Sequence, residues 1–269
     1  MKLLAVLVNY GDEQLIYLEK VIQNLKSFNK YQVTVIVNSN IPLNIHGIDK
    51  VNVIILDDYQ LLPLTCRKTI WENKDKYDVF IFSENDHLFL EKHIDKHLEY
   101  EKILPSNIIS GLIQYEKAGD DFYYPAYHSH FEWDFKSVKT YGGKKFAHFK
   151  NLHQASFILT KAQLLRAGKK INFERLIPDN DKWWLRKWKN FQIKLFNKKF
   201  PPKYIYSAKC KVNTDVYMYG GFKKMICISE FEDNLIHHLP NLYINGDKGR
   251  YKKRSDQKRM QDALDKLLN

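Results

Sequence analysis

A chain of 269 residues with 44% hydrophobic and 14% aromatic side chains can bury a sizeable core, which excludes global disorder and allows one large α/β domain or two small ones. The net charge of +12, from 43 basic and 31 acidic residues, selects anionic partners as a class (nucleic acid, nucleotides or an anionic membrane surface), although a solubility role would produce the same excess. Three widely spaced cysteines, Cys66, Cys210 and Cys227, fit reduced core thiols, and no stretch approaches the roughly 18–20 apolar residues of a membrane span.

The first hundred residues alternate between two periodicities. Leu3 to Val8 is a continuous apolar run, as expected of a parallel strand buried on both faces. The run ends at Asn9-Tyr10-Gly11-Asp12, too early for a signal-peptide core, so a cytoplasmic location is expected. Leu15, Ile16, Leu18, Val21, Ile22 and Leu25 then form a helical stripe within Glu13 to Phe28. Val33 to Val37 predicts a second strand stopped by Asn38-Ser39-Asn40, and Val51 to Leu56 a third. A helix from Pro63 to Lys74 and a strand from Tyr77 to Phe82 follow. This alternation predicts a mostly parallel sheet, with ligands beyond the carboxyl ends of its strands.

The second half is less regular. Glu91 to Leu104 reads as a helix, and Asn107 to Gln114 as a strand. Lys117 to Tyr127 reads as an aromatic loop, Phe157 to Thr160 as a strand, and Lys161 to Ala167 as a helix stopped by Gly168. His93 and His97 share a helix face, and the missing HExxH pattern makes that face a solvated one. The organisation expected is a single domain over residues 1–245, with residues 1–104 and 105–245 as its halves. A basic tail over residues 246–269 would follow.

Asp78 to Ser83 leads into Glu84-Asn85-Asp86, so a buried strand ends in two carboxylates one residue apart. Residues i and i+2 of a strand share a face, so Glu84 and Asp86 could converge on Mg²⁺ or Mn²⁺ together with diphosphate oxygens. The other reading is that they cap the following helix or solvate a loop.

Taken together, Asn9-Tyr10-Gly11, the Asn38 turn, Thr65-Cys66-Arg67-Lys68-Thr69 and Glu84-Asn85-Asp86 resemble the nucleotide-sugar-binding half of a GT-A glycosyltransferase with a family-2-like layout. The resemblance implies a single Rossmann-like GT-A domain with a variable helical C-terminal part. It also implies an inverting, metal-dependent glycosyltransferase of cell-surface polysaccharide synthesis. Its substrates would be a nucleotide-sugar donor and a glycan or lipid-linked acceptor. Val8, Asn9, Tyr10, Asn38, Arg67, Glu84, Asn85 and Asp86 would hold the donor, and Glu84 and Asp86 with His238 or His237 would hold Mn²⁺ or Mg²⁺. Asp181 or Asp179, in Pro178-Asp179-Asn180-Asp181-Lys182, would supply the base, with Glu232-Asp233 as a rival pair; helix capping explains the first pair as well. His153, Gln154 and Tyr127 fall on the acceptor side. The chain departs from the family pattern with Asn38 at an acidic position and with Glu84 as the first acid of the DxD motif.

Two further features stand out. Trp184, Trp188, Phe191 and Leu195 form an apolar stripe with Lys182, Arg186, Lys187, Lys189 and Lys194 mostly away from it, the pattern either of an interfacial anchor or of a helix buried in the core. Lys248 to Arg254 adds a second basic cluster, and together they suggest peripheral attachment to an anionic membrane. Tyr115, Tyr123, Tyr124, Tyr127, Phe131 and Trp133 crowd His128 and His130, which suits either a sugar site or packing. A basic nucleic-acid-binding protein would account for the charge but not for carboxylates gathered at a strand end, so no nucleic acid partner is expected. Nucleotidyl transfer would need a Gly-rich loop that Asn9 to Glu13 lacks.

Overall fold

A computed structural model describes residues 1–125, 133–178, 187–188, 191–192, 195–196, 206–245 and 254–269. Strands β1 (Lys2–Asn9), β2 (Gln32–Ser39), β3 (Lys50–Val53) and β4 (Val79–Glu84) run parallel, and β11 (Ser156–Thr160) joins β4 antiparallel, in the order β11-β4-β1-β2-β3. The protein has the mixed α/β, Rossmann-like fold with a mostly parallel central sheet that the alternating patterns predict. From β1 the chain moves outward to β2 and β3, then returns to β4 on the other flank of β1. The direction of winding therefore reverses between β1 and β4, the place where such sheets open a ligand crevice.

Both faces of this sheet are covered, which is why its strands read as unbroken apolar runs. Leu3, Ala5 and Leu7 pack against Leu18, Val21, Ile22 and Leu25 of α1 (Leu15–Lys26) and Ile94 of α3 (Glu91–Ile103). Leu4, Val6, Phe80 and Phe82 pack against Cys66 and Ile70 of α2 (Leu62–Glu72), Leu164 of α4 (Lys161–Gly168) and Val212 and Val216 of α5 (Ala208–Tyr219). All three cysteines are free and buried.

Two smaller sheets interleave with α4 and α5. One runs β6 (Ile108–Ser110), β12 (Lys223–Cys227), β10 (Lys144–Phe149), β9 (Trp133–Tyr141). The other runs β14 (Arg254–Asp256), β8 (Asp121–Pro125), β7 (Ile113–Ala118), β13 (Leu235–His238), β5 (His87–Leu88). The single strand expected over Asn107 to Gln114 is therefore two, β6 and β7 in different sheets. The break falls at Gly111, where a Cβ would lie 2.5 Å from the Lys224 side chain. Much of the expected loop over Lys117 to Tyr127 is the β7–β8 hairpin.

Residues 254–269 are not a tail. Strand β14 pairs with β8, and Met260, Leu264 and Leu267 of α6 (Gln257–Leu268) are buried against a cluster that includes Trp133 and Phe149. His93 and His97 are likewise not on a solvated face, being 2% and 3% exposed. The Leu90 N–H donates to His93 Nδ1 at 3.1 Å, and His97 bridges Gln163 Oε1 (2.7 Å) and Ser110 Oγ (2.9 Å). No helix among the described residues is long and apolar enough to cross a membrane.

Candidate functional site

The carboxyl end of β1 is shaped by short polar links. Asn9 is buried, and its amide donates to the Gly11 carbonyl (2.9 Å) and to Ser39 Oγ (3.3 Å). The Gly11 N–H donates to Asn40 Oδ1 at 2.7 Å, and φ of +67° at that position favours glycine. The Asn85 amide donates to Asn9 Oδ1 at 2.7 Å, so the turn after β4 is tied to the loop after β1. These bonds leave Tyr10 exposed and tilted against Tyr59, with ring centroids 5.2 Å apart.

An open crevice of about 430 Å³ lies at this switch point, lined by Val8, Tyr10, Tyr59, Glu84, Asn85 and Lys209 among others. Val8 and Glu84 are register partners on β1 and β4, and both line the crevice. The Glu84 N–H donates to the carbonyl of Ala155 at 3.1 Å. Ala155 has φ of 49°, a left-handed conformation that a non-glycine residue seldom holds outside a constrained site.

The acidic triplet divides here. Strand β4 ends at Glu84, so the i, i+2 geometry expected for Glu84 and Asp86 does not extend across the turn. Glu84 faces the crevice, whereas Asp86 is grouped with His87 and His238, their ligand atoms all within 4.8 Å of one another and all three side chains buried. Asp86 Oδ1 stands 2.7 Å from His87 Nδ1, and Asp86 Oδ2 stands 3.3 Å from His238 Nε2. Strands β5 and β13 are antiparallel with His87 opposite His238, which brings together histidines 151 positions apart (238 − 87).

The outward ring nitrogens have their own partners. His238 Nδ1 donates to Glu116 Oε1 at 2.6 Å, and His87 Nε2 lies 2.5 Å from the Gln114 amide. Glu116 is fully buried and also accepts the backbone N–H groups of Tyr243 (2.9 Å) and Ile244 (2.8 Å). Burial works against ionisation of Asp86, yet the His238 and His87 imidazoles hold its carboxyl well below the usual carboxylate range. Burial also pulls the His238 pKa down, but Asp86 and Glu116 on either side push it up to about 10.

Asp86, His87 and His238 are a set of residues that could hold a metal ion. One ligand atom from each of the three residues lies within 4.8 Å of the other two, close enough to share a single cation. The close approach of Asp86 Oδ1 to His87 Nδ1 lacks hydrogen-bond geometry, so two buried atoms face each other without satisfying each other. A ligating histidine characteristically donates its second ring nitrogen to an outer partner, as Glu116 provides for His238. Two imidazoles and one carboxylate suit Mn²⁺ better than Mg²⁺.

Several other expected site residues lie elsewhere. His237 is next to His238 but on the opposite face of β13, stacked on Tyr115 with centroids 4.8 Å apart, and is outside the cluster. Arg67 does not reach the crevice. Fully buried, it donates through Nη2 to the carbonyls of Asn172 (2.6 Å) and Arg175 (3.3 Å) and stands 3.7 Å from Asp215. Asp215 Oδ2 in turn accepts the Ile177 N–H at 2.9 Å, so this buried pair ties residues 172–177 to α2 and α5. Asn38 joins β2 to α2 and β3 through Thr65 (2.9 Å), Thr69 (3.1 Å) and Asn52 (2.9 Å), and lines a separate recess.

Gln154 is buried: its Oε1 accepts the Leu112 N–H, and its amide donates to the Tyr217 hydroxyl. His153 keeps partial exposure and an electrostatic interaction with Glu84, with burial lowering its pKa to about 4. Turned so that its nitrogen faces His153 Nδ1 (3.1 Å), the Asn213 amide also donates to the Cys210 carbonyl (2.9 Å) and accepts the Gln154 N–H (3.2 Å). Tyr124 and Trp133 belong to the core. Glu232 and Asp233 lie in a short 3-10 turn (Phe231–Asn234) against the first turns of α3, where Asp233 meets Lys92 and Lys96. Asp179, Asp181, Tyr127, His128, His130, Phe131 and Trp184 lie outside the described residues.

His87, Glu116, Tyr59 and Lys209 are site residues that the sequence patterns did not single out. Only His87 carried a signal, its position directly after the acidic triplet.

No protein-family model matches the sequence, and no curated protein matches it. Two crystal structures of S. aureus TarS are similar to the chain. The 1–349 portion matches with a TM-score of 0.41 and 10% identity over 91% of this chain and 63% of that one. The other matches with a TM-score of 0.44 and 10% identity over 90% of this chain and 37% of that one. The chain thus spans less than two thirds of the length of the structures it matches, and likeness at this level says nothing of substrate.

Proposed function

We propose that the protein is a metal-dependent glycosyltransferase that takes a hexosyl or pentosyl group from a nucleoside diphosphate donor. The acceptor would be a hydroxyl of a glycan or lipid-linked saccharide in cell-surface polysaccharide synthesis. The observation that carries this reading is the adjacency, through Asn85, of the crevice between β1 and β4 to the buried Asp86–His87–His238 cluster. Tyr10 and Tyr59 offer aromatic faces to a nucleobase at the crevice mouth. Glu84 offers a carboxylate to ribose or sugar hydroxyls, and Lys209, in the first turn of α5, brings a positive charge toward the diphosphate.

Asp86, His87 and His238 would hold Mn²⁺, with Glu116 fixing the His238 tautomer. When bound, the cation would offset charge developing on the diphosphate leaving group. Asp181 or Asp179 would accept the proton of the attacking hydroxyl in an inverting transfer. Arg67 and Asp215 support the segment leading to them rather than the donor. His153, which interacts electrostatically with Glu84 and stays neutral at physiological pH, would orient the acceptor.

A thermal-shift screen of UDP-, GDP-, CMP- and dTDP-sugars with and without Mn²⁺ tests the proposal. A ligand present at about 100 times its Kd adds about 2.7 kcal/mol to the folded state, a shift of several degrees. At least one donor is expected to raise the melting temperature, and to do so more with Mn²⁺ than with EDTA. No shift from any donor would contradict it.

A further inference from the structure

We propose that Asn213 is a positioning residue that holds the His153 ring protonated on Nε2, so that His153 meets a substrate oxygen as a hydrogen-bond donor and not as a base. For the identity of that substrate the inference rests on the sugar-transfer reading. The polarity of the Asn213 amide is set by two backbone groups that cannot change theirs. One terminal atom stands 2.9 Å from the Cys210 carbonyl, which can only accept, and the other 3.2 Å from the Gln154 N–H, which can only donate. The atom facing the carbonyl is therefore the nitrogen, and it also stands 3.1 Å from His153 Nδ1. An N–H aimed at Nδ1 needs a lone pair there, so the single proton of the neutral ring sits on Nε2.

The surroundings hold this arrangement in place. Asn213 is 1% exposed in the middle of α5, so an inverted amide could not recover its lost bonds from bulk water. The His153 N–H donates to Asn151 Oδ1 at 3.0 Å. The neighbouring Gln154 side chain is fixed as well, its Oε1 accepting from Leu112 and Lys224 and its amide donating to Tyr217. A proton on Nδ1 would set N–H against N–H, and burial opposes it too, lowering the His153 pKa to about 4. The charged groups acting on the ring are Glu84 of β4, Lys209 of α5 and Lys224 of β12, and the first two line the crevice. With Nδ1 turned to a buried amide, a substrate contact to a ring nitrogen falls to Nε2, which presents N–H. The one lone pair that could accept a proton faces Asn213, which leaves the base role to a carboxylate.

NMR of the full chain carrying nitrogen-15-labelled histidine, in EDTA and without substrate, reads the tautomer directly, and the signals lost in His153→Gln give the assignment. An unprotonated Nδ1 and a protonated Nε2 are expected from about pH 6 to about pH 8. Asn213→Asp, whose carboxylate can only accept, is expected to bring a proton to Nδ1. A wild-type ring protonated on Nδ1 at about pH 7 would overturn the inference, as would an Nδ1 still unprotonated in folded Asn213→Asp. If Asn213→Asp does not fold, the wild-type spectrum decides. Release of nucleoside diphosphate from the sugar donor that raises the melting temperature tests the donor role. His153→Gln can still place an N–H near the Nε2 position and is expected to lose less than about threefold, whereas His153→Ala loses about tenfold. Equal rates in the two variants would overturn the donor role. Turnover of no donor would count against the sugar-transfer reading, and the spectrum alone would then decide the tautomer.

Discussion

Asp86→Asn is expected to lower Mn²⁺ affinity by at least about a hundredfold, because losing even an outer-shell partner of a metal ligand costs 10–100-fold. Glu84→Gln, two positions away, is expected to leave Mn²⁺ affinity within about threefold and to weaken nucleotide-sugar binding instead. The contrast follows from the end of β4 at Glu84. One acid of the triplet opens on the crevice, while the other turns between two imidazoles. Metal titrations of the two variants by calorimetry or manganese EPR separate the roles. Equal loss of metal affinity in both would restore a shared Glu84–Asp86 site and contradict the division drawn here.

Lys224→Met is expected to stabilise the protein by about 1–3 kcal/mol near pH 6.5, and to remove part of the rise in stability with pH. Lys224 is 1% exposed and has no carboxylate partner within ion-pair distance among the described residues. Its Nζ reaches the Leu152 carbonyl (3.4 Å) and Gln154 Oε1 (3.1 Å) and lies 5.4 Å from the centre of the Tyr217 ring. Burial pushes its pKa down to about 7, whereas an unfolded lysine titrates near 10.4.

The sign follows from proton counting. Below about pH 7 both states are protonated, and the folded state bears the full cost of the buried ammonium. Between about 7 and 10.4 the unfolded chain binds more protons, so unfolding free energy rises with pH by up to about 1.4 kcal/mol per unit. Methionine keeps the length of the side chain and removes the titration, and Gln154 Oε1 keeps the Leu112 N–H as a donor. Urea titrations from pH 6 to 10 measure both effects. A variant less stable than wild type at pH 6.5, with its pH slope intact, would contradict this account of Lys224.

The central sheet was legible because burial on both faces forces continuous apolar runs, and Leu3 to Val8 and Val33 to Val37 have no other use for them. The position of the crevice was legible for the same reason: polar residues interrupt those runs only where the strands end. Helix α5 was not, because it is buried nearly all round, with Lys211, Asn213 and Asp215 inside the protein. Such residues erase the periodic stripe, and only tertiary partners such as Arg67 and His153 explain them.

The Asp86–His87–His238 cluster was half legible. Asp86 and His238 were named, but choosing between His237 and His238 needs the facing of β13, and recognising His87 and Glu116 needs the pairing of β5, β7 and β13. Those short strands, two to six residues long, carry too few positions for an alternating pattern to register. Arg67 was misassigned because a helix arginine beside a nucleotide fold and one neutralising a buried aspartate look the same in sequence.

The central claim is that donor diphosphate and metal share one site, and binding linkage tests it most directly. Calorimetric titrations of UDP, GDP, CDP and dTDP into wild-type protein, with Mn²⁺ and after EDTA treatment, give the coupling. Reciprocity requires that Mn²⁺ affinity change by the same factor when the nucleotide is present. One nucleoside diphosphate is expected to bind at least about tenfold more tightly with Mn²⁺, a coupling of about 1.4 kcal/mol, and to lose that gain in Asp86→Asn. Nucleotide binding indifferent to Mn²⁺ and to Asp86→Asn, or none at all, would contradict the claim.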